Sequence, residues 1–494
     1  MGYISHSHST ESVNYSSYMA QSPYISSNAK YYKWLVFFSI AIGTFISVVD
    51  HGSVLVALPV MQTHFGSDLP AVQWVVTGYL LTISALLLPM GRLGDYLGKN
   101  RIYILGLIIF AVASFFASIS SDLIMVILSK ILQGAGSAMI QGNAIAIIVS
   151  TFPAAERGKA LGSHLSVVGT GLITGPALGG LLVDLFGWKS VFIINIPVAL
   201  IAVAAAVIIM GVRSEESIDL KNNPFDWKGS IISTIFLIGI LLLFNKVTEY
   251  GWNSFPILAG GLILVCLLIL FIVVETKVTS PMLDVKLFTN PIIGLGFLSS
   301  WISFFGTGGV RFIMPFYMQK ILNLEPLVVG LSMIPPAICM ALLSPLSGYL
   351  SDKFGWKAFT ILGLSLSIVA CLSLSIWVSD SSPLIFLIPM LMLQTSGNGI
   401  FNSPNNSSIL NEVDNTKFGV MSAMTQLVRN SANVISMSVT TSIIVISFQI
   451  NDLGSNLDNI TPEMSGAFMT GLHATFFTLF IVLSIGLIAT IIRK

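Results

Sequence analysis

Apolar residues fall in long blocks, broken by short clusters of charged and turn-forming residues. Blocks begin near Trp34, Val72, Ile102, Leu123, Ala160 and Val191, then near Ile231 and Phe255. Six more begin near Ile292, Leu327, Ala358, Leu384, Phe418 and Met469. Many reach roughly 20 residues, the length a helix needs to cross the hydrocarbon of a bilayer. The pattern predicts an all-α membrane protein of fourteen spans grouped six, two and six. The expected divisions are a tail at 1–33, a first six-helix half at 34–212, a linker with two extra helices at 213–290 and a second half at 291–494.

Composition excludes a soluble protein. The chain is 54% hydrophobic and 9% charged, with mean hydropathy +0.87, whereas globular domains carry about 25% charged residues. The first 33 residues differ, being rich in Ser, Tyr, Asn and His without the apolar core of a signal peptide. They read as a disordered cytoplasmic extension, where the sequon at Asn14 has no glycosylating partner. Cys266, Cys339 and Cys371 lie within apolar blocks, with neither paired spacing nor nearby histidines, so neither a disulfide framework nor a metal site is expected.

The positions of the cations orient the spans. With the amino terminus inside, only Lys189, Lys246 and Lys320 fall outside and Lys130, Arg311 and Arg429 fall within spans, leaving 17 of 23 Lys and Arg on the cytoplasmic side. Both termini are therefore expected in the cytoplasm. An internal repeat supports the division into halves. Gly91, Asp95 and Gly98 return as Gly348, Asp352 and Gly355 at a lag of 257, and Gln133, Ser137 and Gln141 match Gln394, Asn398 and Asn402 at a lag of 261. Duplicated halves around a midplane site are a transporter architecture.

Three motifs carry a family resemblance across nearly the whole chain after the tail. The run Gly91-Arg92-Leu93-Gly94-Asp95-Tyr96-Leu97-Gly98-Lys99-Asn100-Arg101 resembles the cytoplasmic loop motif of the major facilitator superfamily. The fifth span, with Gly171, Gly175, Pro176, Gly179 and Gly180, resembles that superfamily's antiporter motif. The first span resembles the signature of its 14-span drug:proton antiporter branch through Asp50, Ala57, Leu58 and Pro59, departing from it at Gly52 and Leu55 and adding His51. In the fourth span Lys130, Gln133 and Gly134 resemble a motif whose basic residue is usually Arg. The resemblance implies the major facilitator fold, with the extra pair of helices at the periphery, and proton-driven export. In the loop motif Gly91 and Gly98 allow close helix approach, while Asp95 and its basic neighbours Arg92, Lys99 and Arg101 form a charge network expected to break as the halves rock; Asp352 of the repeat joins these as a gating residue.

An ionisable group inside a span is costly and is by default a functional candidate. Asp50, the one carboxylate read as deep in a span, is the expected proton carrier with Lys130; a permanent Asp50–Lys130 ion pair is the structural alternative. Gln133, Ser137 and Gln141 in the fourth span, and Gln394, Asn398, Asn402 and Asn405 in the twelfth, form polar stripes that face protein or water. They are expected to line a substrate cavity with Arg311 and Tyr317, the competing reading being interhelical hydrogen bonding. Arg311 either receives an anionic group or pairs structurally, and Arg429 is read as a gating residue.

The expectation is a secondary active transporter, and not an enzyme, exporting amphipathic drugs in exchange for protons across the cell membrane. Its partners are the small-molecule substrate, protons and membrane lipids, with no cofactor, no metal, no nucleic acid and a monomeric state. A dedicated exporter of one anionic metabolite is the second transporter reading. A membrane receptor on a transporter fold is the third.

Overall fold

The structure is a computed structural model describing residues 29–153, 156–211, 227–250, 254–278, 285–413, 418–451, 453 and 462–493. The helices of the first half are α1 (Ala29–Phe65), α2 (Leu69–Leu97), α3 (Lys99–Ile119), α4 (Leu123–Thr151), α5 (Arg157–Phe186) and α6 (Ser190–Met210, broken at Ile194). The intervening pair is α7 (Trp227–Tyr250) and α8 (Phe255–Lys277). The second half has α9 (Pro291–Phe316, continued by a π turn over Tyr317–Ile321) and α10 (Pro326–Ser332 and Ile334–Phe354). It is completed by α11 (Trp356–Trp377), α12 (Leu384–Leu410), α13 (Phe418–Ile450) and α14 (Pro462–Ile492).

Thirteen of these helices are long and apolar enough to cross a membrane. The fourteenth, α7, has 24 residues and an apolar segment at Ile231–Ile240; at 1.5 Å per residue it is about 36 Å long, enough to span. The expected tail of 1–33 requires correction at its end, because α1 already starts at Ala29 and Lys33 is fixed to Glu156 by a 2.6 Å ion pair. Residues 1–28 lie outside the described residues.

Local chemistry fixes the helix ends. Asp68, Asp122 and Asn290 cap α2, α4 and α9, their side chains accepting from the backbone N–H of Ala71, Met125 and Ile292 at 2.8–2.9 Å. Gly98 (φ 98°) and Gly355 (φ 87°) turn the chain between α2 and α3 and between α10 and α11. A side chain is strained at such φ values, which explains why glycine stands at the same place in both copies of the repeat.

The packing repeats as the sequence does. Helix α1 packs on α5 as α9 does on α13; α4 packs on α2 and α3 as α12 does on α10 and α11; α6 packs on α3 and α1 as α14 does on α11 and α9. The halves meet along two equivalent seams, α5 with α10 and α2 with α13. Helix α7 lies against α2 and α13, and α8 packs on α7 with only Ile257, Leu264 and Glu275 buried among its described residues. The rest of α8 is an apolar surface suited to lipid. The extra pair thus sits outside the two bundles.

Candidate functional site

The first half is organised around one buried charge pair. Asp50 of α1 accepts from Lys130 Nζ of α4 at 2.6 Å, and both side chains are at most 1% exposed. Gln133, one turn along α4, donates through Nε2 to Asp50 Oδ1 at 3.2 Å and to Ser114 Oγ of α3 at 2.9 Å, while its Oε1 accepts from Lys130 at 2.5 Å. Asn195 of α6 donates to Asp50 Oδ1 at 2.6 Å. Helices α1, α4 and α6 therefore meet at one carboxylate, and α3 is tied to it through Gln133. The lysine is further sheltered by Tyr79 of α2, whose ring centroid lies 4.1 Å from Nζ.

Tyr79 leads away from this pair. Its hydroxyl is 2.9 Å from Ser137 Oγ and 3.1 Å from Ser47 Oγ, and Gln141 Nε2 donates to Ser47 at 3.3 Å. Its ring stacks on His51 at 6.2 Å between centroids. His51 in turn lines a cavity, partly open to solvent, at the junction of α1 and α5 with α9, α10 and α12. Cavity, His51, Tyr79, Lys130 and Asp50 are thus a continuous series of contacts.

The cavity is closed on the side of the Gly66 turn. A Cβ on Gly180 would stand 2.6 Å from Pro326 O and 3.1 Å from Gly330 Cα, so α5 and α10 touch backbone to backbone there. Gln319 donates to Val56 O at 2.9 Å, and Lys320 donates to Thr63, joining α9 to α1. Along the other seam, Gln73 of α2 donates to Ser438 of α13 at 3.3 Å, and Gln426 of α13 donates to Gln141 of α4 at 3.3 Å. The antiporter-motif glycines make similar approaches: Cβ atoms on Gly171, Gly175 and Gly179 would meet Val48, Val49 and Ser53 of α1 at 2.9 Å or less, while Pro176 lines the cavity.

The expected cavity residues divide. Arg311 and Gln394 line the cavity, and Gln394 donates to Thr307 at 3.0 Å. Gln133 and Ser137 are instead buried in the Asp50 and Tyr79 networks, and Gln141 bridges to α13. Asn398 donates to Ser303, Asn402 to Asn398 and Asn405 to Ser300, all within the second half. Tyr317 donates to the Ser379 carbonyl at 2.5 Å at the end of α11. Gly91 packs on Gly142 of α4, and Arg92, Lys99 and Arg101 flank the Gly98 turn. The side chains of Asp95 and Asp352 lie outside the described residues. Arg429 lies within electrostatic reach of Arg311 and His51, among the three bundle helices α1, α9 and α13.

Asn195 and Tyr79 were not identified from the sequence, each being a single polar group in an apolar block with no periodic signal. His473 donates from Nε2 to Val378 O, 2.8 Å away, joining α14 to the end of α11 as an interhelical hydrogen-bonder.

A sequence model of the Major Facilitator Superfamily matches residues 40–437. The riboflavin transporter RibZ of Clostridioides difficile (strain 630) is 36% identical over 400 residues, covering 81% of this chain and 85% of its own length. The tetracenomycin C resistance and export protein of Streptomyces glaucescens is 28% identical over 374 residues, covering 76% of this chain and 68% of its own length. Among solved structures, a bacterial homolog of the human lysosomal transporter Spinster, inward-facing and occupied, superposes with TM-score 0.69 at 15% identity, covering 94% of this chain and 97% of its own. Two pseudo-equivalent six-helix bundles around a shared cavity, and a family match spanning both, lead to one conclusion: the chain is a multi-span membrane transporter belonging to the major facilitator superfamily.

Proposed function

We propose that this transporter exports small amphipathic organic molecules in exchange for protons, by alternating access, as a monomer in the cell membrane with both termini cytoplasmic. The observation that carries the reading is the buried Asp50–Lys130 pair set behind the cavity wall. A proton arriving on Asp50 cancels the charge that holds Lys130, Gln133 and Asn195, loosening the junction of α1, α4 and α6. Because α1 also forms part of the cavity wall through His51 and Gly52, that loosening reaches the substrate. Substrate and proton then compete through one helix, the linkage an exchanger needs. Rocking of the halves along the α2–α13 and α5–α10 seams exposes the cavity alternately to the two sides. The loop motif around Gly98, with Arg429 near the cavity, serves as the gate.

A second reading gives the protein one dedicated heteroaromatic substrate, favoured by the 36% identity to a protein named a riboflavin transporter. Both readings are tested in proteoliposomes under an imposed pH gradient, following riboflavin and a lipophilic dye such as rhodamine 6G. Gradient-driven movement of both supports broad export; movement of riboflavin alone supports the dedicated reading. Movement indifferent to the gradient refutes proton exchange. Loss of coupling in Asp50→Asn, with substrate binding retained, is the expected sign of Asp50 in the proton path.

A further inference from the structure

The cavity presents a cation to its contents and no acid. Its lining includes Arg311 and His51 but no Asp or Glu. Among the described residues Arg311 and Arg429 make no ion pair or hydrogen bond, and the buried carboxylate of the first half is already held by Lys130, Gln133 and Asn195. Arg311 and Arg429 are near enough to repel one another, and both act on His51. Both side chains are half-buried and neither is among the fully buried residues, so they remain reachable from the cavity; within a membrane protein cations pair, and unpaired ones of this kind line a substrate path. Lys130 illustrates the usual solution in this same fold. Arg311 and Arg429 depart from it.

We infer that the transported molecule carries an anionic oxygen group, a carboxylate or phosphate, that binds Arg311 within the combined field of Arg311 and Arg429. Guanidinium offers two parallel N–H donors matched to such groups. Thr307 and Gln394, hydrogen-bonded to each other, stand beside Arg311 at the polar end of the cavity. Met314, Met333 and Met340 supply a pliable apolar wall for the organic body. The substrate class is therefore an amphipathic organic anion. Anion binding belongs to the second half and the acid pair to the first, so the two cargoes meet opposite bundles across the cavity.

This inference rests on the transport reading above, and equilibrium binding separates the two because it needs no gradient. Purified protein in detergent is titrated with FMN and with riboflavin, which share a ring system and differ by one phosphate, reading flavin fluorescence. The thermal stabilisation given by benzoate and by benzamide is compared alongside. The structure leads us to expect at least tenfold tighter binding of FMN than of riboflavin and stabilisation by benzoate alone. Arg311→Gln abolishes the preference for the charged member; Arg311→Lys keeps part of the preference, and Arg429→Gln lowers it by less than Arg311→Gln. Size-exclusion profiles of each variant verify folding, and Arg429→Gln serves if Arg311→Gln is misfolded. If neither charged compound binds more tightly than its neutral partner, or if the preference survives Arg311→Gln, the proposal is overturned. Gradient-driven movement is measured separately, so a failure of proton exchange leaves this equilibrium comparison intact.

Discussion

Replacing Asp50 with Asn removes a charge and almost no volume, which isolates the electrostatic role of the pair. Lys130 keeps the carbonyl oxygen of Gln133 and the ring of Tyr79 but loses its only counter-charge among the described residues. Breaking one side of a buried ion pair costs about 3–5 kcal/mol. A ceiling exists as well. From a solution pKa of about 10.4, removing a lysine proton at pH 7 costs about 4.6 kcal/mol, at about 1.36 kcal/mol per pH unit, so a stranded lysine sheds its proton before exceeding that figure. For a chain of 494 residues, an unfolding entropy of about 2 cal/mol/K per residue converts about 4 kcal/mol into a drop of about 4 °C in Tm if the bundle melts as a unit. Cys371, fully buried, supplies the readout: a thiol-reactive dye reports its exposure on heating. In the variant with a neutral lysine, the unfolded chain binds a proton that the folded chain has lost. Stability therefore rises with pH from 7 to 9, and the deficit against the parent shrinks by about 1.4 kcal/mol per unit. Adding Lys130→Met to Asp50→Asn recovers most of the loss. An Asp50→Asn protein as stable as the parent at pH 7, or a double variant no better than the single one, would show that the pair's charge contributes nothing to stability.

Gly180→Ala places a methyl group 2.6 Å from the Pro326 carbonyl oxygen, which pushes α5 off α10 and disfavours closure at the Gly66 end. A cysteine introduced at Leu172, on the cavity wall, should then react several-fold faster with an impermeant maleimide added from that side; an unchanged rate contradicts the closed seam. Arg493→Ala removes charged hydrogen bonds to Asn405 and Ser408, both 2.5 Å long, and stacking on Trp356. The expected loss is about 3 kcal/mol, seen as a lower Tm, and parent-like stability would show that this tie of α14 to α12 contributes nothing.

The spans were legible because each is a block of apolar residues with a capped or glycine-turned end, and burial in lipid leaves that pattern in the sequence. The repeat was legible for the same reason: Gly98 and Gly355 answer one backbone requirement twice. The polar stripe of α12 illustrates where reading stops. Periodicity says that Asn398, Asn402 and Asn405 avoid lipid, but not whether they face a cavity or a neighbouring helix, and here they bond to α9, α14 and each other. Arg493 follows the last apolar block, where the pattern alone marks only a cation at a helix end, yet its side chain is fully buried. The cavity itself left almost no signature, since its walls are largely Met, Leu, Val and Pro contributed by five helices. Such residues look the same in a sequence whether they face lipid, protein or substrate.

Alternating access moves the two halves about the cavity, and the contact between Lys320 and Thr63 allows that movement to be arrested. Thr63→Cys and Lys320→Cys, introduced after replacing Cys266, Cys339 and Cys371, are bridged with a short bis-methanethiosulfonate and the protein is assayed in proteoliposomes. Alternating access requires that bridging abolish gradient-driven transport and that reduction restore it. Transport that continues at the parent rate with the Gly66 end locked would contradict the account.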